Sequence, residues 1–533
     1  MPIYVMSRLR SAGFWGFIVL SVNAYAAGSM AAPDTVRAQA VEPEISPRMG
    51  GALSLNAFLQ ILVIRNTEIQ FSKQNSVLAG HLSDAEAALY EPSFITSARN
   101  EGRNRQRTPD ERLQNTFTAG TAVLDERDKS RELGIRGKLP SGGELSLSYK
   151  TSIKSNNLIS QSSAFSTEYK DTLNLTFKQP LLRNAGRAVT ETDRRVAELE
   201  HKVALQQWVQ QLMKSSIDGV ALYWQLYKAQ GTVKLRQEAL AASEALMVDT
   251  RNRIAAGKVP TSALSELRSV SLNREAELVY SLQGLREAQS KLSTSVNMGW
   301  GSAASAQTLP PPTVFETAIP LTTETFEQML AQWPPHQIAL IRQQQAQSRL
   351  DFARNQIKPS LDLILGYGGT GFSNKPDEAR KLATNPHRYP DWYVGIIFEV
   401  PLNGNQKAQQ QFLAQSARVT QSELELQAIR SSFANDAAFR QGDIQSTLDV
   451  LNLSKAEVTL RQSLLETERQ RIQIGVGTLG NLLQKQADLI ESKRRSLENQ
   501  IRHALAVATW QYTQGSLLTA NGIHVLDESP LAP

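Results

Sequence analysis

The chain has 533 residues, 41% of them apolar and 20% charged, with a formal net charge of +6. That is too apolar for wholesale disorder, and its basic residues are interspersed with acids rather than clustered, which argues against a nucleic-acid surface. There is no cysteine, so disulfides, thiolate metal sites, cysteine nucleophiles and an acylated N-terminal cysteine are excluded, and the six histidines have no HExxH or similar ligand spacing.

At the N-terminus, Arg8 and Arg10 precede an uncharged apolar run over residues 14–22, and Ala24-Tyr25-Ala26 offers a small-x-small cleavage site. This is the layout of a secretory signal peptide over residues 1–26. The run is well short of the ~20 apolar residues that a spanning helix needs. A polar, proline-containing lead follows over residues 27–50.

From there the chain runs through one series of elements twice, over residues 51–296 and 324–515. A Pro-rich connector, residues 297–323, separates the repeats, and residues 516–533 form a tail. Each repeat opens with a short helical piece, residues 53–64 and 325–331. A second helix follows, over residues 336–357 in the second repeat, and ends at a proline that starts an extended segment, Pro92 and Pro359. Strands are expected over about 92–180 and 359–401, closing on Pro180 and Pro401. Phe177 and Phe398 are separated by the same interval as those two prolines.

Four strand segments alternate cleanly between apolar and polar residues. Leu133, Ile135 and Leu139 alternate with Glu132, Arg136 and Lys138, and Leu145, Leu147 and Tyr149 with Glu144, Ser146, Ser148 and Lys150. Leu173, Leu175 and Phe177 form a third set, and Leu361, Leu363, Leu365 and Tyr367 a fourth. In a fifth, less clean segment, Trp392, Val394, Ile396, Phe398 and Val400 oppose Tyr393, Gly395, Ile397 and Glu399. Such a period of two fits a barrel wall between lipid and water, and it also fits a half-buried soluble sheet. The aromatics Tyr149, Tyr169, Tyr367, Trp392 and Tyr393 lie near strand ends, as membrane-interface girdles do. So few strands cannot close a barrel alone, so a barrel must be shared between copies of the chain.

Long helices are expected over about 187–256 and 406–474, and return helices over 263–296 and 481–515. Ile217, Val220, Trp224 and Tyr227 step by three and four. Ile444, Leu451, Val458, Leu465 and Ile472 repeat at heptad spacing, the narrow stripe of a coiled-coil seam.

Between the long and return helices lie RIAAGKVPTSAL and RIQIGVGTLGNL, the hairpin tips at residues 257–262 and 475–480. Arg253 and Arg471 fall in the last helical turn, where they favour the negative helix end. Gly257 and Gly475 sit where a left-handed residue ends a helix, and Thr261 or Ser262, and Thr478, can cap the next one. Gly475, Gly477 and Gly480 also spell GxGxxG. A dinucleotide turn needs a strand before the glycines, and here a helix precedes them.

In this order of elements the chain resembles the TolC-type outer membrane efflux family. The resemblance covers nearly the whole mature chain: duplicated halves, FKQPLLRNAG and FEVPLNGN entering the long helices, and R-x-x-x-G tips. It implies an α+β membrane protein with two repeats per chain, forming a trimeric outer membrane β-barrel continued by a long periplasmic α-helical coiled-coil tunnel. It implies a passive exit duct, and the residues themselves offer no nucleophile elbow, metal-ligand spacing or phosphate loop, so no cofactor, metal or catalytic residues are expected. Its partners would be outer membrane lipid, a periplasmic adaptor and an inner-membrane pump, in efflux or type I secretion. It implies adaptor docking at Arg253, Gly257, Lys258, Arg471, Gly475 and Thr478.

Two departures stand out. Some members of that family carry aspartates at the periplasmic aperture where this chain has Asn481 and Gln484. The first strand region is also longer than the second, and the surplus includes GIRGKLPSGGELSLSY, a hairpin around a Pro-Ser-Gly-Gly turn. An added β-hairpin over residues 131–152 is therefore expected, for up to about six strands per subunit. The remainder, EGRNRQRTPDER, reads as a polar loop. The rival reading is a periplasmic coiled-coil scaffold with a small soluble sheet and no channel activity.

Overall fold

The computed structural model describes residues 53–113, 120–158, 167–298, 309–312 and 322–523. The expected signal peptide and polar lead, most of the connector and the end of the tail lie outside the described residues.

The chain runs α1 (Leu55–Arg65), α2 (Thr67–Ala87), β1 (Ser93–Gln106), α3 (Pro109–Leu113), β2 (Val123–Lys138), β3 (Glu144–Asn156), β4 (Glu168–Pro180), α4 (Arg187–Thr190), α5 (Thr192–Ala255) and α6 (Ser262–Ser295). It continues with α7 (Thr323–Gln332), α8 (Pro334–Gln356), β5 (Ser360–Ser373), α9 (Pro376–Ala383), β6 (Pro390–Glu399), α10 (Gln406–Gln473), α11 (Leu479–Thr513) and α12 (Leu517–Ala520).

Local chemistry sets most of the helix ends. Ser54 caps α1 by accepting from the Ala57 amide, and Asn66 caps α2 by accepting from Glu68 and Ile69. Thr322 and Thr325 form a reciprocal capping box at α7, and Pro334 starts α8 where its missing N–H costs nothing. With 64 and 68 residues, α5 and α10 reach about 100 Å at 1.5 Å per residue.

No helix encloses a core by itself. Towards the sheet the helices pack side by side in the order α2, α5, α8, α10, and towards the tips in the order α6, α5, α11, α10. The main core lies midway, where Phe58, Leu59 and Leu62 of α1, Val220, Tyr223 and Trp224 of α5, and Ile501 and Ala504 of α11 belong to one buried cluster. Tyr223 donates from its hydroxyl to the Leu53 carbonyl at 2.7 Å. A second cluster joins Met329 and Leu330 of α7 to Phe433, Ala437 and Ile444 of α10 and Trp510 of α11. The heptad seam of α10 packs inward here: Ile444, Leu451 and Leu465 are buried, and Leu465 meets Leu482 and Leu489 of α11.

The outermost helices of these rows carry apolar side chains that stay exposed among the described residues. On α10, Phe439, Leu453, Leu460 and Leu464 are exposed, Leu453 by 71%, on a second stripe offset from the buried seam. Leu272, Val279 and Tyr280 of α6 and Phe71, Leu78 and Leu82 of α2 are exposed likewise.

All six strands form one antiparallel sheet in sequence order, β1 to β6, so β4–β5 pairing joins the two repeats and β1 and β6 are open edges. The expected hairpin over residues 131–152 is present as β2 and β3, whose turn contains Gly142 at φ +85°. A Cβ there would meet the Asn184 carbonyl, so this turn lies at the helix end of the sheet. The polar-loop reading of EGRNRQRTPDER needs correction. Glu101–Gln106 belong to β1 and pair with Val123–Asp128, while α3 starts at Pro109. These residues alternate without apolar members because both faces are solvated at this height, so hydrophobic periodicity gives no strand signal.

Register fixes the faces, since directly opposed residues share one. Phe94, Ile135, Leu147, Leu175, Tyr367 and Trp392 form one row across all six strands. Leu145, Phe177, Leu365 and Val394 lie one step towards the helices. The opposite face is polar over β2–β4, with Arg136–Glu144 at 3.0 Å and Lys178–Asp362 at 3.0 Å.

Candidate functional site

The two ends of the molecule carry the candidate sites. At the tips, α5 stops because Gly257 takes φ +68° and α10 because Gly475 takes φ +84°. In each, the amides after the last turn fold back: Lys258 donates to the Arg253 carbonyl at 2.9 Å, and Val476 and Gly477 both donate to that of Arg471 at 3.0 Å. These are left-handed helix stops, not phosphate cradles. Thr478 caps α11 by accepting from the Asn481 amide at 3.2 Å. Thr261 makes no side-chain cap, and α6 instead starts with backbone bonds to the Pro260 and Thr261 carbonyls.

The structure brings the tip residues together. Arg253 pairs with Asp249 at 2.8 Å and donates to the Ile472 carbonyl of the other hairpin at 3.4 Å. Arg471 lies 3.7 Å from Glu468. Lys258, Asn481 and Gln484 are exposed. Gln484 donates to Asp488 at 2.8 Å, and Asp488 is also held by Arg461 at 3.1 Å, so this nearby carboxylate is already paired. Sequence reasoning missed Ile474 and Val476, exposed by 75% and 61% on the second tip. Their signal was available: two aliphatic residues flanking a helix-stop glycine cannot both pack inward.

At the sheet end, Tyr149, Tyr169, Tyr367 and Trp392 share the apolar face, while Tyr393 lies on the other face, its ring filling the space beside Gly366. Tyr149 donates to Asp171 at 2.8 Å, with Arg380 of α9 beside it. A third feature is a cavity of about 790 Å³ between α5, α6, α10 and α11. Its charged lining includes Lys228 and Glu498, bridged at 2.7 Å, and Arg494 holds the same carboxylate at 3.1 Å. Lys228 above all keeps the Glu498 carboxyl below its ordinary range. These groups are tied in ion pairs, not arranged as nucleophile and base.

No protein-family model matches the chain, and no curated protein does either. Solved structures do. The outer membrane protein VceC from Vibrio cholerae is 16% identical with a TM-score of 0.59, covering 86% of this chain and 96% of its own. The Campylobacter jejuni CmeC outer membrane channel is 12% identical at 0.60, covering 87% and 86%. The open state of the Neisseria gonorrhoeae MtrE outer membrane channel is 14% identical at 0.62, covering 87% and 89%.

The fold is that of TolC-type outer membrane channels.

Within the TolC-type fold the long helices and the six-stranded sheet are parts of one architecture. The tips are the ends of its helical portion, and the apolar face belongs to its six-stranded sheet.

Proposed function

We propose that the protein is the outer membrane channel of a tripartite efflux or type I secretion system, a passive trimeric exit duct. The observation that carries this reading is that sheet and helices are open in the same way. Among the described residues the sheet ends in two strands that each have one unpaired edge, and the helix rows end in α2, α6 and α10, each with exposed apolar side chains. Unpaired edges cannot stand in lipid, and exposed heptad-spaced leucines call for a partner helix. Three copies satisfy both: β6 of one pairs with β1 of the next, and α10 packs against α2 and α6 of its neighbour. The shared barrel then has about eighteen strands, in the range that leaves an aqueous channel. The apolar sheet face meets outer membrane lipid, with Tyr149, Tyr169, Tyr367 and Trp392 as interface aromatics, and the polar face lines the pore. The helical portion stands in the periplasm.

At the far end a periplasmic adaptor docks on Arg253, Gly257, Lys258, Arg471, Gly475 and Thr478, and an inner-membrane pump supplies energy. Asn481 and Gln484 line the aperture without charge. No cofactor or nucleic acid takes part. The deciding experiment is the native mass of the mature protein taken from an outer membrane fraction. A detergent-dependent trimer is the expected result. A monomer recovered without detergent overturns it and leaves the periplasmic scaffold.

A further inference from the structure

Along β2 the exposed face changes character abruptly. Ile135 and Leu133 belong to the apolar belt, and the next three residues on that face, moving away from the helices, are Arg131, Lys129 and Arg127, all exposed. Arg127 lies 3.8 Å from Asp125, whereas the side chains of Lys129 and Arg131 make no ion pair or hydrogen bond among the described residues. Their neighbours on this face are small or uncharged: Ala98, Asn100 and Gly102 on β1, Thr151, Ile153 and Ser155 on β3.

The row of Arg131 continues through Thr151 and Asp171 to Gly371. There α9 lies against the same face. A Cβ on Gly371 would fall 2.0 Å from the Ala379 carbonyl, and one on Gly369 2.7 Å from that of Ala383, so only glycines admit the helix. Ala379 and Ala383 are fully buried, and Arg380 and Lys381 are exposed. Asp171 is buried two strands away from Arg131, with one oxygen accepting from Tyr149 and the other without a hydrogen-bond partner among the described residues, and Glu378 is taken up by Ser373 and Lys375; neither acid forms an ion pair with Lys129 or Arg131.

An unpaired arginine facing hydrocarbon is strongly disfavoured at the bilayer midplane and tolerated at the interface. Arg131 is two residues past Leu133, about 7 Å along the strand, and so marks the headgroup level of the outer leaflet. Guanidinium and ammonium groups on a lipid-facing surface match phosphate oxygens.

We propose that this outward face, with Lys129 and Arg131 as contact residues, Arg127 beyond them and Arg380 and Lys381 on the α9 flank, binds the phosphates of the phosphorylated glycolipid of the outer leaflet. The inference rests on the outer membrane reading above. The test uses intact trimers, whose membrane fraction and native mass are established first, so that failure of that reading is seen separately. They are placed in phosphatidylcholine nanodiscs with added bisphosphorylated lipid A or its dephosphorylated form, and bound lipid is counted by native mass spectrometry. Wild type should retain the bisphosphorylated lipid about tenfold better than the Lys129→Ser/Arg131→Thr variant and show no preference with the dephosphorylated form. Lys150→Ser, on the opposite face, should behave as wild type. Equal retention by wild type and the double variant overturns the proposal, as does equal retention of the two lipid forms. Both variants must first run as trimers. If the double variant does not, Lys129→Gln alone is used, with a smaller loss in the same direction expected and equal retention again overturning it.

Discussion

The Arg253 guanidinium on the first hairpin donates to the main-chain carbonyl of Ile472 on the second, 3.4 Å away, and so fastens the two tips of one chain together. It does so from the last turn of α5, where Asp249 holds its side chain in place at 2.8 Å. A partly buried hydrogen bond of this kind contributes about 1 kcal/mol. Arg253→Ala should therefore raise hydrogen exchange at the second tip about fivefold while leaving the sheet-end helices unchanged. Unaltered exchange at residues 472–478 would mean that the two tips move independently.

Gly475 is the backbone condition for the second tip. At φ +84° a β-branched residue is strained, at about 1–2 kcal/mol, although a Cβ there would meet no other atom. Gly475→Val should thus leave trimer assembly intact and weaken adaptor binding in a pull-down by about tenfold. Gly480, with open space around it and no positive φ, should tolerate alanine with binding unchanged.

The exposed stripe on α10 separates folding from assembly. Among the described residues Leu453 and Leu460 belong to no core cluster and are mostly exposed, so charging them leaves the subunit's core intact. Burial of each leucine between subunits is worth about 1.5–3 kcal/mol. Leu453→Glu/Leu460→Glu should abolish the trimer by native mass and keep the far-ultraviolet helical signal of wild type. A variant that still assembles would place the subunit contact elsewhere.

What the sequence made legible follows from which interactions are local. The helix stops at Gly257 and Gly475 and the Thr478 cap are decided within a few residues, and their chemistry could be read directly. The seam of Ile444, Leu451 and Leu465 was visible as a heptad pattern because its partner runs alongside. The second stripe on the same helix has the same spacing at Leu453 and Leu460, but spacing does not say which stripe packs within the chain, and among the described residues this one stays exposed. The end of β1 was hidden for another reason: Arg103, Asn104 and Arg105 belong to the sheet only through pairing with residues 124–126, and pairing leaves no mark where both faces are polar. Tyr393 looked like its neighbour Trp392, yet alternation alone puts the two on opposite faces.

Glu191, at the start of α5, ties the sheet end of the helices together. Its carboxylate accepts from Arg187 at 2.8 Å, from Arg194 at 2.9 Å and from the Tyr90 hydroxyl at 2.9 Å. Arg194 above all, then Arg187 and Tyr90, hold its pKa at about 2 from an ordinary 4.5, against an opposing effect of burial. A carboxyl group whose pKa is lowered on folding binds its proton more readily in the unfolded chain. The stability it contributes is therefore fully present above about pH 4.5 and lost as the pH falls towards about 2. Glu191→Gln keeps the shape and removes the charge. At neutral pH this variant should melt below wild type, and the gap between the two melting temperatures should close between about pH 4.5 and pH 2. A gap that stays constant down to pH 2 would mean that glutamine disturbs packing there and that the charge contributes nothing.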